Sequence, residues 1–138
     1  MNSLRIAFVP GVIAGLISIF TSWFWVGLVF HKFQARTPQT WRRETGLSHA
    51  ISSLVTLGAA IVIATLYVMV ARGNGGSLGQ GFYGAVWFAI LAWAALAAPV
   101  LINNFIYVNL HPLVIFGLLL TWLTNALLAS LITAWWLG

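Results

Sequence analysis

"ISSLVTLGAAIVIATLYVMVA" is residues 51–71. It contains no Asp, Glu, Lys, Arg or His. A helix rises about 1.5 Å per residue, so a run of this length reaches across a hydrocarbon core of roughly 30 Å. Three more such runs occupy residues 6–30, 81–101 and 113–137, also without an ionisable Asp, Glu, Lys, Arg or His. In lipid a backbone must satisfy its own hydrogen bonds, so apolar runs of this length are expected to be helices.

Composition agrees with that reading. The 138 residues are 62% hydrophobic and only 5% charged, where a soluble domain carries roughly a quarter charged residues. Mean hydropathy is +1.01. Such a chain has too little polar surface to face water. The first run is longer than a signal-peptide core of about 7–15 residues, and no small-x-small cleavage site follows it, so it is expected to be a retained span. The expected fold is all-α: a single domain, residues 1–138, forming an antiparallel bundle of four transmembrane helices. With no cysteine, the chain has no disulfide, thiolate metal site or cysteine nucleophile.

Charge is concentrated in residues 31–50, "HKFQARTPQTWRRETGLSHA". Lys32, Arg36, Arg42 and Arg43 lie there, against Arg5 and Arg72 on the other membrane face. The positive-inside rule puts this loop in the cytoplasm and both termini outside, in a bacterial inner membrane. The same four basic residues are the expected contacts to anionic lipid. Thr37 suits an N-cap, Pro38 a first helical position and Gly46 the position after a helix. A short interfacial helix is therefore expected over 38–45, with Trp41 in the headgroups. The second loop, "RGNGGSLGQ" (72–80), fails as a phosphate cradle, because GxGxxG spacing from Gly73 meets Leu78 and no strand precedes it.

Membrane helices pack through small residues and occasional polar contacts. Each run carries such residues at helical spacing: Gly11, Gly15, Ser18 and Ser22; Ser52, Thr56, Ala60 and Ala64; Gly81, Ala85, Ala89, Ala92 and Ala95; Gly117, Thr121, Asn125, Ala129 and Thr133. Gly11, Gly15, Gly117 and Thr121 are the leading packing candidates. Asn125, near the middle of its run, needs a partner; it serves either as helix glue or as a solute contact. Pro99, with Asn103 and Asn104 one turn on, is expected to close the third run, as a kink or as the floor of a small polar pocket. Of eight tryptophans, Trp135 and Trp136 fit an interfacial belt, whereas Trp93 and Trp122 fall near mid-span. Those two serve as packing bulk or as contacts to a flat apolar ligand.

Little in the chain suggests chemistry. Glu44 is its only acidic residue, which excludes carboxylate-pair catalysis and a Ser–His–Asp triad, and no intramembrane carboxylate is present to couple transport to protons. His31, His49 and His111 share one membrane face with Glu44 in the expected topology, which makes these four the candidate ligands of a zinc, copper or iron site. No cofactor is expected otherwise, and no nucleic-acid partner: four basic residues beside a membrane read as topology and lipid contact.

The stretches "SWFWVGLVFHKF" (22–33), "APVLINNF" (98–105) and "GLLLTWLTNALLASLITAWW" (117–136) resemble a family of small bacterial four-helix membrane proteins, domain of unknown function 1761. The resemblance covers about half the chain. It implies a four-helix fold and no activity. Two classes of function stay open. One is a non-enzymatic accessory or assembly subunit, or a homo-oligomeric bundle, with the bilayer and other membrane subunits or copies of itself as partners. The other is a small-molecule protein: an oligomeric transporter or channel, or a metal-dependent membrane enzyme using the interfacial histidines.

Overall fold

The computed structural model describes residues 2–41, 45–73 and 76–138. Among them there are helices and turns and no strand. Helix α1 (Ser3–Ser22) continues as a π-helical segment, Trp23–Val29. A single turn, α2 (His31–Gln34), and a 3₁₀ turn, Pro38–Thr40, follow in the first loop. Then come α3 (Gly46–Arg72), a 3₁₀ turn Gly76–Gly79, α4 (Gly81–Ala92), a π segment Trp93–Ala97, α5 (Ala98–Tyr107) and α6 (Pro112–Leu137). Four continuous helical stretches are long and apolar enough to cross a membrane: Ser3–Val29, Gly46–Arg72, Gly81–Tyr107 and Pro112–Leu137. This is an all-α fold compatible with a multi-pass membrane protein.

Packing centres on α6, which lies against α1, α3 and α4, while α1 and α3 form the other extensive pair. The buried core is made largely of small side chains. Ala14, Ala60 and Ala129 bring α1, α3 and α6 together. Tyr67, Ala85 and Ala134 join α3, α4 and α6. Large apolar side chains point outward instead, among them Phe20, Trp23, Leu54, Tyr83, Leu96 and Ile106. That inversion suits a solvent as apolar as leucine, in which helices associate by close backbone approach rather than by burying bulk.

The glycines of α1 set that approach. A Cβ at Gly11 would lie 2.8 Å from Ile61 Cα, and one at Gly15 would lie 3.0 Å from Leu57 Cα. The two backbones meet with no room for a methyl group. Gly117 is covered differently: the Phe30 ring lies over it, and a Cβ there would come within 2.7 Å of Phe30 Cγ. At the turn before α4, Gly76 and Gly81 take φ of 58° and 57°, the left-handed region that glycine enters without penalty.

Three boundaries differ from the sequence expectation. First, the loop helix expected over 38–45 is a single 3₁₀ turn, Pro38–Thr40, in its described part; Arg42, Arg43 and Glu44 lie outside the described residues. Thr37 does not cap it: its side chain is buried, and the hydroxyl has no hydrogen-bond partner among the described residues. Second, Gly46 opens a helix rather than following one. Thr45 caps α3 by accepting from Ser48 N–H at 3.1 Å, while Thr45 N–H donates to Ser48 Oγ at 2.9 Å. This reciprocal capping satisfies orphan donors and starts α3 before the apolar run begins. Third, Pro99 does not end its helix. Proline lacks an N–H and its ring clashes with the carbonyl four residues back. The chain absorbs this by shifting to wider i→i−5 bonding just upstream, where Ala98 N–H donates to Trp93 O, and the helix then runs on to Tyr107.

Candidate functional site

Two places hold the polar side chains that the sequence singles out. The first lies inside the bundle. Asn125 on α6 is 1% exposed. Ser18 Oγ on α1 donates to its Oδ1 at 3.0 Å, and its Nδ2 donates to Thr56 O on α3 at 3.5 Å. One amide thus ties three helices. Thr56 Oγ1 bonds back to Ser52 O, and Thr121 Oγ1 to Gly117 O, each within its own helix. Trp93 Nε1 donates to Leu119 O at 3.0 Å, so the indole fastens the α4–α5 junction to α6. Trp122 is half-buried on α6.

The residues singled out as pocket candidates do not gather in one place. Asn125 faces α1 and α3, and Trp93 reaches α6 from the other side. Asn103 and Asn104 are exposed on α5, because the helix continues past Pro99 as a peripheral element. Their amides do not join Asn125.

The second place is the end of the bundle where the first and third loops meet. Thr40 Oγ1 donates to Asn109 O at 2.9 Å. The Phe33 ring stacks on His111, with centroids 5.1 Å apart and planes 16° from parallel. Lys32 Nζ and Arg36 Cζ lie 5.2 and 5.4 Å from the Phe33 centroid, within cation–π reach. His111 also caps α6: its Nδ1 accepts from Leu113 N–H at 3.3 Å. Its Nε2 stands 3.3 Å from Arg36 Nη1. A neutral imidazole has one acceptor nitrogen. The ring can therefore serve the helix cap or the guanidinium, and not both at once. Phe33 stands out in this cluster, yet no spacing in the sequence points to it; only the chain closure between residues 33 and 111 creates the stack.

The histidines do not assemble. Among the described residues, no group of three or more His, Cys, Asp or Glu side chains is placed to hold a metal ion. His111 is engaged with Phe33 and Arg36, while His31 begins α2 and His49 lies in the first turn of α3. Glu44 lies outside the described residues. Of the expected lipid contacts, Lys32 and Arg36 are exposed, as such contacts require, and Arg42 and Arg43 fall outside the description.

No family model, no curated protein and no solved structure matches this chain.

Proposed function

We propose that this chain is a non-enzymatic multi-pass protein of a bacterial inner membrane whose role is association: an accessory or assembly subunit of a larger membrane complex, or a bundle that pairs with copies of itself. The observation that carries this reading is the use made of Asn125. Both ends of the one buried amide among the described residues are spent on other helices of the same chain. A transporter or enzyme of this size needs polar groups turned toward a solute. Here the hydroxyls of Thr121, Thr124 and Thr133 bond to backbone of their own helix, and the indole of Trp93 bonds to backbone of α6. The loops are short, and the outer surface is rich in large apolar side chains, which suits contact with lipid and with other membrane helices.

Purification in a mild detergent followed by mass spectrometry of the intact assembly tests the reading. A defined set of membrane partners, or a homo-oligomer, is the expected result. A monomer that carries a stoichiometric small molecule other than a membrane lipid would overturn it. Stoichiometric zinc, copper or iron that is lost on His49→Ala would move the protein to the metal-dependent class instead.

The orientation belongs to the same proposal. Residues 31–50 are cytoplasmic and both termini outside, supported by the excess of Lys and Arg in that loop. The chain is free of cysteine, so single cysteines at Gln39 and Ser77 report sidedness directly. An impermeant thiol reagent should label Ser77→Cys in intact spheroplasts and leave Gln39→Cys unlabelled. The reverse pattern overturns the assignment.

A further inference from the structure

A cleft of about 400 Å³ opens where α1 begins and where α3 and α6 end. Arg5, Ile6, Val9, Arg72, Trp136 and Leu137 line it. It lies at the opposite end of the bundle from the Phe33–His111 stack. Two guanidinium groups from different helices share this one cleft, and neither makes a hydrogen bond or ion pair with any described residue. The chain's only acidic residue, Glu44, precedes α3 in sequence, and Arg72 closes that 27-residue helix. At 1.5 Å per residue that helix is roughly 40 Å long. Among the described residues there is no carboxylate side chain to neutralise the pair.

Like charges sharing a cleft with apolar walls repel more strongly than in water. An anion between them removes that cost. The walls say which kind. Ile6, Val9 and Leu137 are apolar, and Val9, Ile13 and Ile17 continue along α1 as an exposed row at i+4 steps. Trp136 lines the cleft too and is exposed, with the indole's usual preference for the headgroup level. Arginine presents a fork of donors that matches phosphate oxygens. A phosphate with a hydrocarbon chain attached fits both halves.

We infer that this cleft binds an anionic phospholipid, its phosphate held between Arg5 and Arg72 and an acyl chain laid along Val9, Ile13 and Ile17. The inference rests on the proposed membrane location and is independent of whether the protein is an accessory subunit.

The test is a lipid titration of the detergent-purified protein by native mass spectrometry, with phosphatidylglycerol against phosphatidylcholine as probes. Wild type should retain phosphatidylglycerol in preference. Arg5→Gln or Arg72→Gln should weaken that retention about fivefold, and the pair together about 30-fold. The double Arg→Lys variant keeps the charge and loses the fork, so its retention should fall between wild type and the double Gln variant. If the double Gln variant does not fold, the single Arg72→Gln variant carries the same comparison. Equal retention of phosphatidylglycerol by wild type and a folded Gln variant overturns the site. So does full displacement of the lipid by inorganic phosphate, which would make it a free-anion site. Release of the protein from membranes by alkaline carbonate would instead defeat the membrane reading itself, and is scored separately from lipid preference.

Discussion

The sharpest consequence of the α1–α3 contact is a comparison of one substitution at two glycines. Gly11 faces α3, where a Cβ would sit 2.8 Å from Ile61 Cα, and Gly58 is exposed on α3 with nothing within 4 Å of its Cβ position. Both are helical, so Gly→Ala improves helix propensity at each by up to about 1 kcal/mol. At Gly58 that is the whole effect, and the variant should be neutral or slightly stabilised. At Gly11 the obstacle is backbone, which cannot rotate away. The helices must part by several tenths of an ångström. A gap of 0.5–1 Å forfeits about a quarter to a half of each affected contact, and overpacking of this kind costs about 1–3 kcal/mol. The propensity gain cancels between the two variants, so their difference isolates the packing cost. For a chain of this length 1 kcal/mol moves the melting temperature by roughly 4 °C. Gly11→Ala should therefore melt roughly 4–12 °C below Gly58→Ala, both followed by circular dichroism in one detergent. If Gly11→Ala melts with or above Gly58→Ala, the close approach of α1 to α3 is refuted.

Three further outcomes follow from contacts described above. A double-mutant cycle on Ser18→Ala and Asn125→Ala should return a coupling of about 0.6–1.7 kcal/mol, as interhelical bonds in membranes do, and additive effects would deny the bond. Ser130 is fully buried and its hydroxyl has no partner among the described residues, so Ser130→Ala should leave the melting temperature unchanged or raise it; a loss above about 1 kcal/mol would mean that the hydroxyl is bonded after all. Thr45→Ala removes the α3 cap and should cost about 1 kcal/mol, with faster amide exchange confined to the first turn of α3 if the capping geometry is right.

The fold was legible in residues 6–30, 51–71, 81–101 and 113–137 because hydrocarbon thickness imposes a length and backbone hydrogen bonding imposes a helix. The ends were less legible, since they depend on local chemistry that apolarity does not report. Gly46 looked like a stop because glycine commonly follows helices, and only the pairing of Thr45 with Ser48 makes it a start. Pro99 looked like a stop because an α-ladder cannot pass it, and the i→i−5 detour that carries the helix through leaves no periodic mark in sequence. The sites divide in the same manner. An amide at mid-span announces that it needs a partner. It does not announce Ser18, 107 positions earlier, because the meeting depends on how α1 turns against α6. The stack of Phe33 on His111, and the sharing of one cleft by Arg5 and Arg72, are likewise products of chain closure.

The central place of α6 bears on how the molecule is made. In chain order, α1 and α3 can dock on each other through Gly11 and Gly15 before α6 is made. Helix α4 has α6 as its main helical partner, so its small-residue face around Ala85 and Ala89 has little to cover it until α6 arrives. Asn125 enters with α6 as well, bringing the amide that links the earlier pair. A chain cut before α6 would therefore lack both the main helical partner of α4 and the Asn125 amide that links α1 to α3.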